Sequence, residues 1–348
     1  MGRQGGGGAR RSPPAAVAIV AWLVIGLAAP LVAGGATPDG ATSQSQAAAA
    51  TTGSEAREVA HTVTPTNGAI AFIRNSTVWT MNLDGSGAAA LLATAGNNDA
   101  APSYSSSGAK IGFETARFSG GSPDIAVVNA DGTGLVKLVQ NAREPTWSPD
   151  GTKIAYVANR DGLIGSIYVA NADGTNETRV TNAFPASDDQ PAWSPDGTRI
   201  AFWTNEGASG LAIGIVNADG TGRTLFDPAG ANWRAPAWSP DATKIVAVRS
   251  NPIAVDTALF LVNADGTGTT RLTNGALADD HPVWSPDGQR IAFDRNVSGH
   301  LQLFVMHADG TAQTNISSNA TSDSAPTWRP ASSTAPPPSG KIAFVRTF

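Results

Sequence analysis

The sequence contains no cysteine, so disulfide bonds, thiolate metal sites and cysteine nucleophiles are excluded. Charged residues are scarce, at 15% of the 348 residues, and no block of basic residues occurs. Together with a formal net charge of −5, this argues against nucleic acid as a partner. Glycine (38 residues) and proline (23 residues) are abundant instead, as is typical of turn-rich β proteins.

Residues 1–36 have the pattern of an export signal. Basic residues precede an uncharged apolar run, and small residues follow it (Arg3, Arg10 and Arg11; Ala15 to Ala33; Gly34, Gly35 and Ala36). This order predicts a cleaved signal peptide, with an uncleaved membrane anchor as the alternative because the run approaches the length of a membrane span. We therefore expect an exported protein that is secreted, periplasmic or tethered at the cell surface.

Residues 37–66 are rich in Ala, Thr, Ser, Gln and Gly and lack apolar periodicity, which predicts a disordered linker. From residue 67 to 348 one pattern recurs. Its aromatic anchors stand 43 to 46 residues apart (Tyr104, Trp147, Trp193, Trp238, Trp284 and Trp328). A period in the forties with four short apolar strands per unit predicts an all-β fold, a β-propeller of six four-stranded blades.

The turn residues of the repeat support this interpretation. The S-P-D-G segments at Ser148–Gly151, Ser194–Gly197 and Ser285–Gly288 have the residues of a tight turn, since Pro fixes φ and Gly accepts a positive φ. The equivalent segment Ser239–Ala242 lacks the Gly, which predicts strain or another turn type. The N-A-D-G-T segments lack the ligand spacing of calcium loops and are predicted to be hairpin turns.

These residues resemble the repeat of the TolB-type propeller, a WD-repeat-like family whose motif reads D-x-x-P-x-W-S-P-D-G-x-x-I-A-F. The match is clearest at Asp188–Phe202 and Asp279–Phe293, and the likeness covers about residues 68 to 348. TolB also has an N-terminal α/β domain, which residues 37–66 are too short to form. The resemblance therefore implies the propeller and leaves the envelope role of TolB an open expectation.

One strand is surplus to six repeats. Six proline-aromatic strands are present, but Ile342-Ala343-Phe344 is a seventh copy of the I-A-F strand. This strand either closes a six-bladed ring as part of a mixed N- and C-terminal blade or begins a seventh blade. Closure removes exposed strand edges and favours six.

The variable loops should share one face of the propeller, because connections alternate between faces and the S-P-D-G and N-A-D-G turns occupy the other. The same face should carry the residue three positions before each inner-strand proline, which is Asp in four of six repeats (Asp99, Asp188, Asp279 and Asp323) and Trp233 in another. If these residues point to the axis, they form an acidic ring with Asp189, Arg234, Asp280 and His281 beside it. Such a ring would suit Ca²⁺ or the positive end of a peptide. The alternative is that each Asp caps its own loop.

Trp233 next to Arg234 is the most individual pair of this set, and is either an exposed recognition element or a packed core pair. No catalytic motif occurs in the sequence, and no motif identifies a metal or cofactor. We predict a monomeric, non-enzymatic module that binds a protein or peptide on the variable-loop face and contacts a membrane only through an uncleaved N-terminus. The alternatives are a carbohydrate-active hydrolase or lyase that uses axial carboxylates, and a structural scaffold of the cell envelope.

Overall fold

The computed structural model describes residues 69–330, except for residues 94–96, 120, 161–164, 183–184, 208–209, 227–230 and 252–255. The predicted signal segment 1–36, the predicted linker 37–66 and the strand predicted at Ile342–Phe344 lie outside the described residues. Within the described part of the chain, no helix has the length and hydropathy needed to cross a bilayer.

The regular secondary structure in these residues consists of strands. The first three are β1 (Ile70–Arg74), β2 (Thr77–Met81) and β3 (Ala89–Ala90). The next twenty form five consecutive antiparallel sheets, or blades, of four strands each. Blade 1 contains β4 (Ala100–Tyr104), β5 (Lys110–Thr115), β6 (Asp124–Asn129) and β7 (Val136–Val139); blade 2 contains β8 (Ala142–Trp147), β9 (Lys153–Ala158), β10 (Ser166–Asn171) and β11 (Thr178–Arg179). Blade 3 contains β12 (Asp188–Trp193), β13 (Arg199–Gly207), β14 (Gly210–Asn217) and β15 (Thr224–Phe226).

Blade 4 contains β16 (Asn232–Trp238), β17 (Lys244–Asn251), β18 (Asp256–Asn263) and β19 (Thr269–Arg271); blade 5 contains β20 (Asp279–Trp284), β21 (Arg290–Val297), β22 (His300–His307) and β23 (Thr314–Asn315). The sixth blade is mixed: the last described strand, β24 (Asp323–Trp328), pairs antiparallel with β1. The fold is therefore an all-β propeller of six four-stranded blades, as the sequence predicts.

The ring is closed within the described residues, which do not include Ile342–Phe344. The inner position of blade 6 is filled by β24, the sixth proline-Trp strand, and the position beside it is filled by β1. In the described part of the chain, the ring therefore closes between the two ends of the repeat array, because β1 is the partner of β24.

The proline-aromatic strand is the innermost strand of every blade, and each contacts the inner strands of the blades on either side. The second strand is buried on both faces, so it reads as a continuous apolar run; Ile154, Ala155 and Tyr156 of β9 are fully buried. The hydrophobic core lies between blades, where Ile125 and Val127 of blade 1 pack with the blade 2 strands.

Two of the repeated Trp residues hydrogen-bond to the preceding blade. Trp238 Nε1 donates to Ala192 O of the preceding blade at 3.1 Å, and Trp328 Nε1 donates to Val283 O at 3.0 Å. Both indoles are buried. These two indoles supply apolar packing and satisfy their single donor at once, whereas the buried Nε1 atoms of Trp147, Trp193 and Trp284 have no hydrogen-bond partner among the described residues.

The Ser239–Ala242 turn has the same geometry as its glycine-containing counterparts. Ala242 has a φ of 57° and its amide donates to Ser239 O at 2.9 Å, as the amide of Gly151, with a φ of 71°, donates to Ser148 O. Ala242 therefore occupies a left-handed conformation that is unfavourable for a residue with a Cβ. The prediction of strain is confirmed, and a change of turn type is not found.

Replacing Ala242 with glycine is expected to stabilise the fold by about 1 kcal/mol, since it removes this backbone strain. The measurement is the urea midpoint of A242G against the parent chain. The matched control is Gly288→Ala at the same position of blade 5, where an added Cβ would lie 3.6 Å from Pro240 Cδ, an ordinary contact. G288A should lose about as much as A242G gains; a loss on A242G would contradict the strain at this turn.

Candidate functional site

The propeller axis is an open channel of about 470 Å³ between the six inner strands. Its wall carries the inner-strand prolines and the residue before each of them (Ala101, Glu144, Gln190, Ala235, His281 and Ala325). We call these six the pre-proline residues. All have φ between 46° and 55°, and each lies at a register shift between the first and second strands of its blade. This bulge turns the pre-proline residues toward the axis.

Side chains from one blade accept hydrogen bonds from the pre-proline amides of the next. Gln190 N donates to Glu144 Oε2 at 2.7 Å, and Ala235 N donates to Gln190 Oε1 at 2.9 Å. In the same way Glu114, on the second strand of blade 1, accepts from the amide of Glu144. The polar groups of the channel thus link neighbouring blades as well as facing the cavity.

One wall of the channel is acidic. Glu114 and Glu144 line it, and Asp189 adjoins Glu144, since both carboxylates accept from the amide of Gln190. Arg143 Nη2 donates to Asp189 Oδ2 at 2.6 Å. Burial raises the pKa of Glu144 well above its ordinary value, and the hydrogen bond and charge of Asp189 raise it further. Burial also raises the pKa of Glu114. The hydrogen bond from the Glu144 amide and the charge of Arg143 lower this pKa, but their effect is smaller.

The opposite wall carries a cation. His281 on blade 5 faces blade 2 across the six-bladed ring, and its Nδ1 lies 2.8 Å from Asp294 Oδ2. Asp294 Oδ2 also accepts from Ala325 N, and Arg234 Nη2 donates to Asp280 Oδ2 at 2.7 Å beside it. Burial opposes the charged imidazole, but the charge and hydrogen bond of Asp294 and the charge of Asp280 outweigh it and raise the pKa of His281 to about 9.

The charge on His281 should make stability depend on pH. Because folding raises its pKa from 6.5 to about 9, its contribution to stability is complete below pH 6.5 and is lost as pH rises through 9. His281→Gln should therefore be less stable than the parent at pH 6, with the difference narrowing by pH 9.5. Urea midpoints at pH 6, 7.5 and 9.5 measure this, and a difference that stays constant with pH would contradict the ion pair.

The four repeat aspartates do not form the expected axial ring. Each is fully buried or nearly so and is held by an arginine of its own blade (Asp99 by Arg117, Asp188 by Arg223, Asp279 by Arg295 and Asp323 by Arg74). The closest contacts of these pairs are 2.6 to 2.9 Å. These aspartates do not point to the axis, because they precede the bulge and face the interior of the blade. There the arginine guanidinium groups neutralise their charge.

A cation therefore finds no free carboxylate ring at these positions. Among the described residues, no group of three or more His, Cys, Asp or Glu side chains is arranged to hold a metal ion. Of the four residues predicted beside the ring, His281 lines the channel, and Asp189 and Asp280 accept from the amides of the lining residues Gln190 and His281. Arg234 is bonded to Asp280 behind the wall.

Trp233 belongs to the core. It is 1% exposed and packs edge-on against Phe226 and Phe260, with ring centroids 5.1 and 5.8 Å away. The reading of Trp233 as an exposed recognition element is wrong, and the packed alternative holds, because the position three residues before the proline faces the blade in this repeat as in the others.

Sequence reasoning missed Glu114, Glu144, Gln190 and Asp294. Their signal lies in the repeat itself: the pre-proline residue is Ala in three blades, and the position equivalent to Glu114 and Asp294 is apolar in the other four (Ile73, Val157, Trp203 and Val248). Polar residues at positions that are small or apolar in other repeats are those that line the channel or bond to its lining residues.

Fold and channel together define a closed six-bladed propeller with a polar axial cavity. Residues 190–335 match the family model of the TolB beta propeller domain. TolB from Acinetobacter baumannii is similar in structure, with a TM-score of 0.65 and 20% identity over 75% of this chain and 66% of that chain. The chain is thus similar to the TolB-like propeller repeat proteins in its repeat and its fold, and it spans about two thirds of that TolB.

Two further structures with a similar fold come from proteins of other kinds. A chain of a nidogen/laminin complex gives a TM-score of 0.59 at 11% identity, over 71% of this chain and 92% of that one. A puromycin-hydrolyzing peptidase of Mycobacterium tuberculosis gives 0.53 at 14% identity, over 73% of this chain and 44% of that one. No curated protein sequence matches the chain. At these identities the likeness defines the fold, and the function has to come from the channel.

Proposed function

We propose that the chain is an exported, non-enzymatic binding module whose channel mouth receives a segment of a protein or peptide partner. The observation that carries this is the channel itself: an open cavity of about 470 Å³ at which charged side chains from several blades converge. That volume lies within the range of small-ligand and peptide-side-chain pockets, about 300–1,000 Å³.

The position of the polar groups favours the variable-loop face. Glu144 and His281 are the third residues of their inner strands, which begin at the face of the irregular loops and run toward the S-P-D-G turns. Loops of differing length on a rigid ring are the usual location of binding residues. A partner that enters from this face would meet the loops first and the charged groups next.

The carboxyl groups of the channel do not favour the glycosidase alternative. Glu144 and Asp189 hydrogen-bond to each other and share the Gln190 amide. Glycoside hydrolysis needs two carboxyl groups about 5 to 10 Å apart with the scissile bond between them. The scaffold alternative has less support, because a passive spacer gains nothing from charged residues at positions that the repeat fills elsewhere with Ala, Ile or Val.

Export is supported by two observations. The first 36 residues have the basic, apolar and small-residue order of a signal segment. The propeller is TolB-like in sequence over residues 190–335 and in fold over the blades. We propose a periplasm-like or cell-surface location on these grounds.

A channel plug tests the binding function. Ser103 lines the channel, so Ser103→Trp should fill much of it and remove partner capture from the native envelope fraction. Leu225→Trp, at an exposed site on the outer strand of blade 3, is the matched control and should capture the same partners as the parent. Both variants must first show the parent's melting temperature. Capture that survives the plug would reject the channel as the binding site.

A further inference from the structure

We propose that the group which enters the channel is cationic, namely an arginine or lysine side chain or a terminal ammonium, and that it pairs with the Glu114–Glu144 wall. This inference rests on the proposed binding function and names the chemistry of the partner. Three observations support it. The channel has more acidic than basic groups, Glu114 and Glu144 stand where a neutral amide would serve the fold, and Asp294 has an oxygen without a hydrogen-bond partner among the described residues.

The charged groups that line or directly back the channel are unbalanced. There are five carboxyl groups (Glu114, Glu144, Asp189, Asp280 and Asp294) and three basic groups (Arg143, Arg234 and His281). Arg143 and Arg234 are bonded to aspartates, and His281 is bonded to Asp294. Among the described residues, the two glutamates that face the cavity therefore share the charge of Arg143 with Asp189, and it is Asp189 that takes its hydrogen bond.

The fold does not require these two carboxylates. Gln190 performs the same structural task with a neutral amide, by accepting from the amide of Ala235. Blade 6 has Ala325 and Ile73 at the two positions that supply acceptors elsewhere, yet Ala101 of blade 1 adopts the same bulge, with a φ of 46°. Because an ionisable group is costlier to bury than a neutral amide, acids at Glu114 and Glu144 point to a use beyond shaping the bulge.

A further acceptor behind the channel wall is also unsatisfied. Asp294 is fully buried, and among the described residues its Oδ1 has no hydrogen-bond partner. Its other oxygen is bonded to two channel-lining residues, His281 and Ala325. The negative charge of Asp294 thus offsets the positive charge of His281, so His281 does not cancel the charge of the glutamate wall.

The opposite wall gives the ligand an orientation. His281 exposes 39% of its side chain and carries a positive charge at neutral pH, so it repels a cation and can donate to a carbonyl or carboxylate. Glu144 on blade 2 and His281 on blade 5 lie on opposite sides of the ring. A peptide segment with its cationic group toward blades 1 and 2 and a backbone carbonyl toward blade 5 satisfies both walls.

Cation binding should release a proton. Glu144 faces carboxylates and cations on all sides (Glu114 on blade 1, Arg143 on its own strand, Asp189 on blade 3, and Arg234, Asp280, His281 and Asp294 across the channel). Burial and Asp189 hold its proton, and a ligand cation would displace it. The affinity for a cationic ligand should therefore rise with pH through the titration of Glu144.

Matched peptides test the inference on the whole chain. The probes are acetyl-Gly-Arg-Gly-amide and its neutral isostere acetyl-Gly-citrulline-Gly-amide, titrated by calorimetry. We expect the arginine peptide to bind the parent at least about tenfold more tightly, a difference typical of a partly desolvated ion pair. Glu114→Gln with Glu144→Gln keeps both amide acceptors and should bring the two peptides within about twofold of each other.

Two exposed carboxylates provide the control for net charge. Glu177→Gln with Asp256→Asn removes the same charge from groups 31% and 35% exposed outside the channel, and should keep the arginine preference. Equal affinity of the two peptides for the parent, or a preference that survives in E114Q/E144Q, would overturn the inference. If E114Q/E144Q still captures the envelope partner and S103W does not, the channel binds a partner and only its cationic chemistry is wrong.

Discussion

Truncation after Ser322 is expected to prevent folding, because it removes β24 and opens the ring. β24 supplies Trp328, which is 5% exposed and bonded to Val283 O, and Asp323, which is paired with Arg74. Its loss would uncover the inner edge of β1 and the blade 5 surface that packs against β24, and an unpaired strand edge invites aggregation. Circular dichroism and size-exclusion chromatography of the truncated chain measure the effect.

Truncation after Pro330 is the matched experiment. It keeps β24 and Arg329, whose Nε donates to Gly108 O at 3.0 Å. If β24 closes the ring, this chain should melt within about 2 °C of the parent, since a change of that size corresponds to less than about 1 kcal/mol. A truncation after Pro330 that unfolds the protein would show that closure depends on Ile342–Phe344.

The second large effect is expected at the buried ion pairs. Asp279→Ala should destabilise the fold by about 3–5 kcal/mol, because it leaves the Arg295 guanidinium buried and unpaired. Asp279 is fully buried, Arg295 is 11% exposed at its side chain, and the pair is bidentate, at 2.6 and 2.9 Å. Urea denaturation at pH 7 measures the loss.

Asp256→Ala is the control at the surface. Its pair with Arg271 is also bidentate, at 2.6 and 3.0 Å, but the side chains are 35% and 40% exposed, so the loss should be less than about 1 kcal/mol. Replacing Asp279 by Leu together with Arg295 by Met should recover part of the loss of D279A, because it removes both charges. Equal losses in D279A and D256A would mean that the repeat aspartates are solvated and free to act as an axial ring.

The propeller could be predicted from the sequence because its signal repeats. Each blade independently places a Trp, a tight turn and an I-A-F strand at the same spacing, and these residues act locally or with the next blade. The strand that pairs with β24 to close the ring was harder to predict from the sequence, because Ile342–Phe344 has the same I-A-F pattern as β1. Which of the two pairs with β24 depends on the distance between chain ends in the ring, a property of the whole array.

The channel lining could be predicted only in part, for a reason that lies in the bulge. A regular strand alternates its faces, so the residues three and one before the proline would share a face. The positive φ at each pre-proline residue breaks this alternation. Asp279 therefore turns into the blade while His281 turns to the axis. The sequence of the repeat does not indicate this positive φ, since the pre-proline residues are Ala, Glu, Gln and His rather than Gly.

The most direct test of the account is photo-crosslinking from the two faces of the propeller. A photoreactive amino acid at Ser324, which lines the channel, should form adducts with an envelope partner, and S103W in the same chain should abolish them. The same amino acid at Asp241, exposed on the S-P-D-G face, should form none. Adducts that arise at Asp241, or that persist at Ser324 in the plugged chain, would contradict a function located at the channel mouth.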